Sequence, residues 1–324
     1  MKEIAGYLLS YARNLDKKIF LFTTIYTGFF VWINYQMRLE HALVHTGSRL
    51  QSFAGFALLY VLILGGAYLI NHRAGLLVNL RDRNVSAILH HQDQPSPGRG
   101  FFWLLIIIAP VLYAWRMSSG LVVEQLSLFQ RESISRYAVI ILNAPLKCVV
   151  ILIALCFIKR FGQYITPITG LSYSRLNLKP FLLALTIFIP VIFFAGSHES
   201  FRLAYPRAAK VDYTSALPSL PWLGAILFEI SYAFDFLLVE VFFRGFLILA
   251  FIRYAGAGSI LPMAAFYCAI HFGKPLPECI SSYFGGILLG VITYNSGSIW
   301  GGLVLHLGIG WLMEAAGFYW NNAG

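Results

Sequence analysis

Apolar runs of membrane-spanning length recur along this chain, and they restrict its folds more than any other feature. A helix needs about 17–25 such residues to cross roughly 30 Å of hydrocarbon. Runs near that length lie at 19–35, 52–70, 101–115, 137–158 and 180–196. A longer segment follows at 220–254, with three more near 258–271, 276–294 and 298–318. Charged residues make up only 12% of the chain, against roughly 25% in an ordinary soluble domain. The expected fold is therefore all-α, a polytopic membrane helical bundle of about eight transmembrane helices. The runs at 101–115 and 258–271 are short enough to be partial or tilted spans.

The segment 220–254 is too long to be a simple span. As one helix it would reach about 52 Å at 1.5 Å per residue, so it must tilt, protrude or break near its polar middle. From Pro221 to Ala255 the only charged side chains are Glu229, Asp235, Glu240, Arg244 and Arg253. A charge at the centre of a bilayer helix costs roughly 2.5–3.5 kcal/mol on insertion scales, so such residues usually face a cavity or a partner. Glu240 and Arg244, at i and i+4, share one face in the favourable acid-before-base order. The pair marks where the protein keeps something polar.

Residues 1–18 carry Lys2, Glu3, Arg13, Asp16, Lys17 and Lys18 and lack the pattern of a cleaved secretory signal. The first span reads as a retained anchor. Lys and Arg in alternate loops number twelve on the amino-terminal side and eight opposite. That bias places the amino terminus in the cytoplasm of a plasma (inner) membrane. The net charge of +10 suits contact with anionic lipid heads. Nucleic acid is disfavoured as a partner, because the basic residues are scattered over loops rather than gathered on a face. Cys148, Cys156, Cys268 and Cys279 show no close pair at metal or redox spacing and read as buried structural thiols.

Composition divides the chain into an amino-terminal transmembrane region at 1–170, a span and connecting loop at 171–221, and a core at 222–318. The first region has few intramembrane polar groups, and its His90-His91 doublet reads as a solvated loop pair. The core concentrates ionisable groups: Glu240 and Arg244, then His271 at the end of one apolar run, then His306 nearer the middle of another. A lone histidine of this kind is most simply a core imidazole bonded to a neighbour. Three elements that each offer an ionisable group within 67 residues make a joint site equally plausible.

These residues resemble the motifs of the CPBP family, the CAAX-processing and bacteriocin-processing intramembrane proteases. The resemblance covers roughly 222–318. The family's first motif is two adjacent glutamates, then arginine after three residues and usually glycine. Glu240, Arg244 and Gly245 match its second glutamate, arginine and glycine. Its second motif, phenylalanine four before histidine, is met by Tyr267 and His271, one aromatic replacing another. Its third, histidine followed four later by asparagine or a similar residue, is met by His306 but not by Gly310. The stretch Phe284-Gly285-Gly286-Ile287-Leu288-Leu289-Gly290 looks like the family's helix before the last histidine.

The resemblance implies that the first glutamate and the second-motif histidine activate the attacking water. Val239 stands where that glutamate belongs and can neither accept nor donate a proton. Glu240 lies about 100° around a regular helix from it. Three carboxylates are candidate substitutes: Glu240 itself if the helix is rotated or locally unwound, Asp235 from one turn earlier, or Glu278 from the next helix. The alternative is that none of them is a base and Glu240–Arg244 only locks helices.

If the site is catalytic, a general base must reach water by hydrogen bond. Glu240 would accept the proton or orient His271, which would hold the water or relay the proton. His306 would donate to the developing oxyanion, with a thinner donor set because Gly310 supplies no polar group. Glu314, four beyond Gly310, is a lesser candidate. Glutamate with two histidines is also a plausible zinc set. No His-Glu-x-x-His element supports it, however, and no cofactor is expected.

Two function classes follow. One is an intramembrane endopeptidase that cuts a membrane-associated peptide or protein in contact with the lipid bilayer. The other is a non-catalytic relative that binds such a partner. A small-solute transporter ranks third, since no charged relay runs through the amino-terminal spans.

Overall fold

In the computed structural model of this protein, residues 2–45, 48–73, 98–119, 133–164, 168–172 and 178–322 are described. Among them there is no strand. The amino-terminal part contains α1 (Lys2–Asn14), α2 (Lys17–Met37), α3 (Leu39–Val44), α4 (Arg49–Arg73), α5 (Arg99–Ser118) and α6 (Ser133–Phe161). Next come α7 (Lys179–Gly196) and the short α8 (Glu199–Ala204) and α9 (Tyr213–Ala216). The core follows with α10 (Pro221–Val239), a π-helix (Glu240–Ala250), α11 (Ile252–Ala255), α12 (Ile260–Ala269), α13 (Leu276–Ser296) and α14 (Trp300–Asn322). The expected His90-His91 loop lies outside the described residues.

The all-α membrane bundle read from the apolar runs is the observed architecture. Among the described residues, six helices are long and apolar enough to cross a membrane: Arg49–Asn71, Gly100–Ser118, Arg136–Phe161, Lys179–Gly196, Leu276–Ser296 and Trp300–Asn322. Each coincides with an expected run. The run at 19–35 lies within α2, which is not among those six. The run at 258–271 yields only the ten-residue α12, buried along its whole length. At about 15 Å it falls well short of the hydrocarbon thickness. It is a core element enclosed by the spans.

The segment 220–254 does change near its polar middle. It is α-helical to Val239 and continues as a π-helix from Glu240 to Ala250. Hydrogen bonds i→i+5 widen the turn, a geometry that is rare and concentrated at functional sites. Every residue of the π-helix is buried. It and α12 form the centre of the molecule, packed against α13. Only 17% of the apolar windows of α6 and α7 is buried, against 44% for α13 and α14, so α6 and α7 form the lipid-facing periphery.

Close approaches hold this centre together. A Cβ on Gly286 would lie 3.2 Å from Ala264 Cα, and one on Gly290 would lie 2.7 Å from Met263 Cε. The two glycines let α13 press onto α12, the small-residue packing common between membrane helices. The cysteines behave differently from one another. Cys148, Cys268 and Cys279 are buried, whereas Cys156 is exposed on the outer face of α6. Cys268 and Cys279, eleven residues apart, bring their sulfurs to 3.7 Å because α12 and α13 run back along each other.

The amino-terminal helices grip the core by specific bonds. Asn34 Nδ2 donates to the Phe272 carbonyl at 2.9 Å, and Asn71 Nδ2 donates to the Gly258 carbonyl at 2.7 Å. Arg116 of α5 donates to Asp235 of α10.

Gly245 meets the Thr169 backbone so closely that an added Cβ would sit 2.4 Å from the Thr169 carbonyl oxygen. Backbone cannot swing aside as a flexible side chain can. Gly245→Ala should therefore destabilise the fold by about 1–3 kcal/mol, the usual cost of overpacking. The check is the thermal unfolding midpoint in detergent, which should fall, and an unchanged midpoint would contradict this packing.

Candidate active site

Glu240 opens the π-helix, and both it and Arg244 are wholly buried. Arg244 Nη1 lies 3.2 Å from Glu240 Oε1. None of the three guanidinium nitrogens makes a well-aligned hydrogen bond to protein, so this is a charge contact. The guanidinium carbon lies 3.9 Å from the centroid of the Tyr267 ring, which presents its electron-rich face to the cation. One carboxylate and one aromatic face thus surround a charge that has no access to water.

α14 delivers His306 to the same carboxylate, with Nδ1 2.8 Å from Glu240 Oε1. A carboxylate oxygen accepts, which makes His306 Nδ1 the donor of this bond. Its Nε2 lies 3.0 Å from the Tyr267 hydroxyl. Glu240, His306 and Tyr267 are therefore joined in a chain.

His271 follows α12 by two residues and stands beside Tyr267, the ring centroids 4.7 Å apart. Its Nδ1 donates to the Tyr267 carbonyl at 2.9 Å. That bond fixes the tautomer and leaves the lone pair on Nε2, the nitrogen that can take up a proton or ligand. The histidines are the partly exposed members of the group, while Glu240 and Arg244 form its buried floor.

Five sequence candidates, Glu240, Arg244, Tyr267, His271 and His306, are thus brought together, and the other carboxylates are not. Asp235 pairs with Arg116. Glu278 Oε1 accepts from Lys274 Nζ at 3.0 Å and from the Tyr205 hydroxyl at 3.2 Å. Glu314 accepts from the backbone N–H groups of Arg207 and Ala208 at 2.9 and 3.1 Å and ties down the loop before α9. Among the described residues, no group of three or more His, Cys, Asp or Glu side chains is arranged to hold a metal ion.

The departures from the motifs have local explanations. Val239 ends α10 inside the apolar core. Gly310 is small because Phe236 needs the space: an added Cβ would lie 2.4 Å from its ring. The same ring meets the His306 imidazole edge-to-face at 4.7 Å. Sequence reasoning missed Phe236. Its position one turn before Glu240 was the available signal.

The fold and site define a helical membrane protein that keeps a glutamate–histidine cluster shielded from lipid. Residues 221–312 match the family model described as Type II CAAX prenyl endopeptidase Rce1-like. This bears out the resemblance to the CAAX-processing intramembrane proteases and covers all five clustered residues. No curated protein and no solved structure matches the chain.

Breaking the buried pair from one side leaves an uncompensated charge, which typically costs about 3–5 kcal/mol. Arg244→Leu should therefore be strongly destabilising, while Arg244→Leu combined with Glu240→Gln should recover much of the loss. Denaturant unfolding of the two variants and their parent measures the coupling, and additive losses would show that the two charges do not depend on each other.

Proposed function

We propose that the protein is an intramembrane endopeptidase that hydrolyses a peptide bond of a membrane-associated substrate. The observation that carries this is the single cluster formed by Glu240, His306, Tyr267 and His271 within the buried centre. The amino terminus is assigned to the cytoplasmic face of the plasma membrane by the Lys and Arg bias. Residues 222–318 form the protease core in this reading.

In the proposed reaction His271 Nε2 takes a proton from water as its oxygen attacks the substrate carbonyl. The Nδ1–H bond to the Tyr267 carbonyl holds the imidazole in the required tautomer. The tetrahedral intermediate then expels the amine, which receives that proton back from His271. Glu240 acts through His306: its carboxylate holds Nδ1, as an acid residue steadies the histidine of a hydrolytic triad. Burial in a low-dielectric interior makes each such charge contact worth more than in water.

The description of the matching family directs attention to peptides ending in a prenylated CaaX sequence as the first substrates to try. The second reading is a non-catalytic binder of membrane peptides. It is favoured by Val239, which removes the family's usual carboxylate, and by Arg244 and His306, which both occupy Oε1 of Glu240.

The deciding measurement is cleavage of prenylated CaaX peptides and a membrane-peptide library by purified wild type, Glu240→Gln and His271→Ala. Wild type should cut, and loss of proton transfer at His271 should cost roughly 10²–10⁴-fold in rate. Glu240→Gln should fall as well, because the amide no longer balances Arg244 or steadies His306. Identical background cutting by all three would leave the binding-module reading in place.

A further inference from the structure

In a catalytic His306 the oxyanion donor would be a free N–H, yet both ring nitrogens are taken. Nδ1 faces Glu240 at 2.8 Å and Nε2 faces the Tyr267 hydroxyl at 3.0 Å. The polar group expected four residues later is Gly310, and Phe236 fills the space beside it. The group left to supply a donor at the end of this chain of bonds is the Tyr267 hydroxyl. Where the resembled motif has phenylalanine, this chain has a phenol. The donor lost at 310 is replaced by one gained at 267.

We propose that Tyr267 is a catalytic residue whose hydroxyl meets the developing oxyanion, with Glu240 and His306 behind it as its support. This rests on the endopeptidase reading and names a donor within it. In the working form His306 carries a proton on each nitrogen. Nδ1–H donates to Glu240, Nε2–H donates to Tyr267 Oη, and the tyrosine's own O–H is released to the oxyanion. That proton on His306 is neither consumed nor transferred in the cycle, since the water's proton travels through His271. Arg244 adds to the effect. A cation 3.9 Å from the ring centroid draws electron density from the phenol and makes its O–H a stronger donor. The position is well held, because the Tyr267 carbonyl also anchors His271 and the residue is 4% exposed.

The test is Tyr267→Phe, which restores the motif residue and removes one oxygen. Removing an oxyanion donor usually lowers kcat by roughly 10²–10³-fold. We expect a loss of that size with KM for a prenylated peptide unchanged. Affinity for a phosphinate peptide, a mimic of the tetrahedral state, should fall in parallel with kcat/KM. A variant that keeps wild-type kcat, while His271→Ala is inactive, overturns the role of Tyr267 and leaves the endopeptidase reading standing. Equal losses in substrate and phosphinate binding would show that the hydroxyl only shapes the site, and would also overturn it. Absence of cutting by wild type would overturn both.

Discussion

A guanidinium sealed from water exists in this bundle because one carboxylate and one aromatic face enclose it. Arg244 is wholly buried, 3.2 Å from Glu240 and over the ring of Tyr267. Desolvating such a pair costs several kcal/mol per ion and is recovered only where the geometry is good and further hydrogen bonds are made. Here the recovery draws in other elements, since the same carboxylate takes His306 and the same tyrosine holds both histidines. Electrostatic balance and the assembly of the candidate site are thus one arrangement. The π-helix belongs to it, because it begins at Glu240, where the widened winding starts beside Val239 in the apolar core.

Much of this was legible in the residues. Six apolar runs became helices of spanning length, and the i, i+4 spacing of Glu240 and Arg244 already implied a shared face. The excess length of 220–254 called for a tilt, a protrusion or a break near the charges, and the winding is what changes. The kind of change was not readable, since no proline stands between Trp222 and Tyr254 to announce a break. The meeting of His306 with Glu240 depends on how α14 packs, which local spacing does not encode. Cys268 and Cys279 were missed as neighbours for the same reason: eleven residues of separation says nothing until two helices fold back on each other.

Motif matching misjudged what mattered in two places. Tyr267 passed as one aromatic for another, although its hydroxyl is the atom that engages His306. Gly310 registered only as a missing polar group, although Phe236 occupies the volume that group would need. Val239 is the departure that remains. Of the three carboxylates considered in its stead, Asp235 is held by Arg116 and Glu278 by Lys274 and Tyr205, so Glu240 alone reaches a histidine.

The grip of the amino-terminal helices on the core bears on how such an architecture can diverge. Asn34, Asn71 and Arg116 reach across to Phe272, Gly258 and Asp235, and all three receiving positions fall inside the segment matched at 221–312. Excised alone, that segment would leave the Asp235 carboxylate and backbone oxygens such as those of Phe272 and Gly258 without these donors. The helices outside that segment can therefore diverge only while donors such as Asn34, Asn71 and Arg116 stay in register with their acceptors.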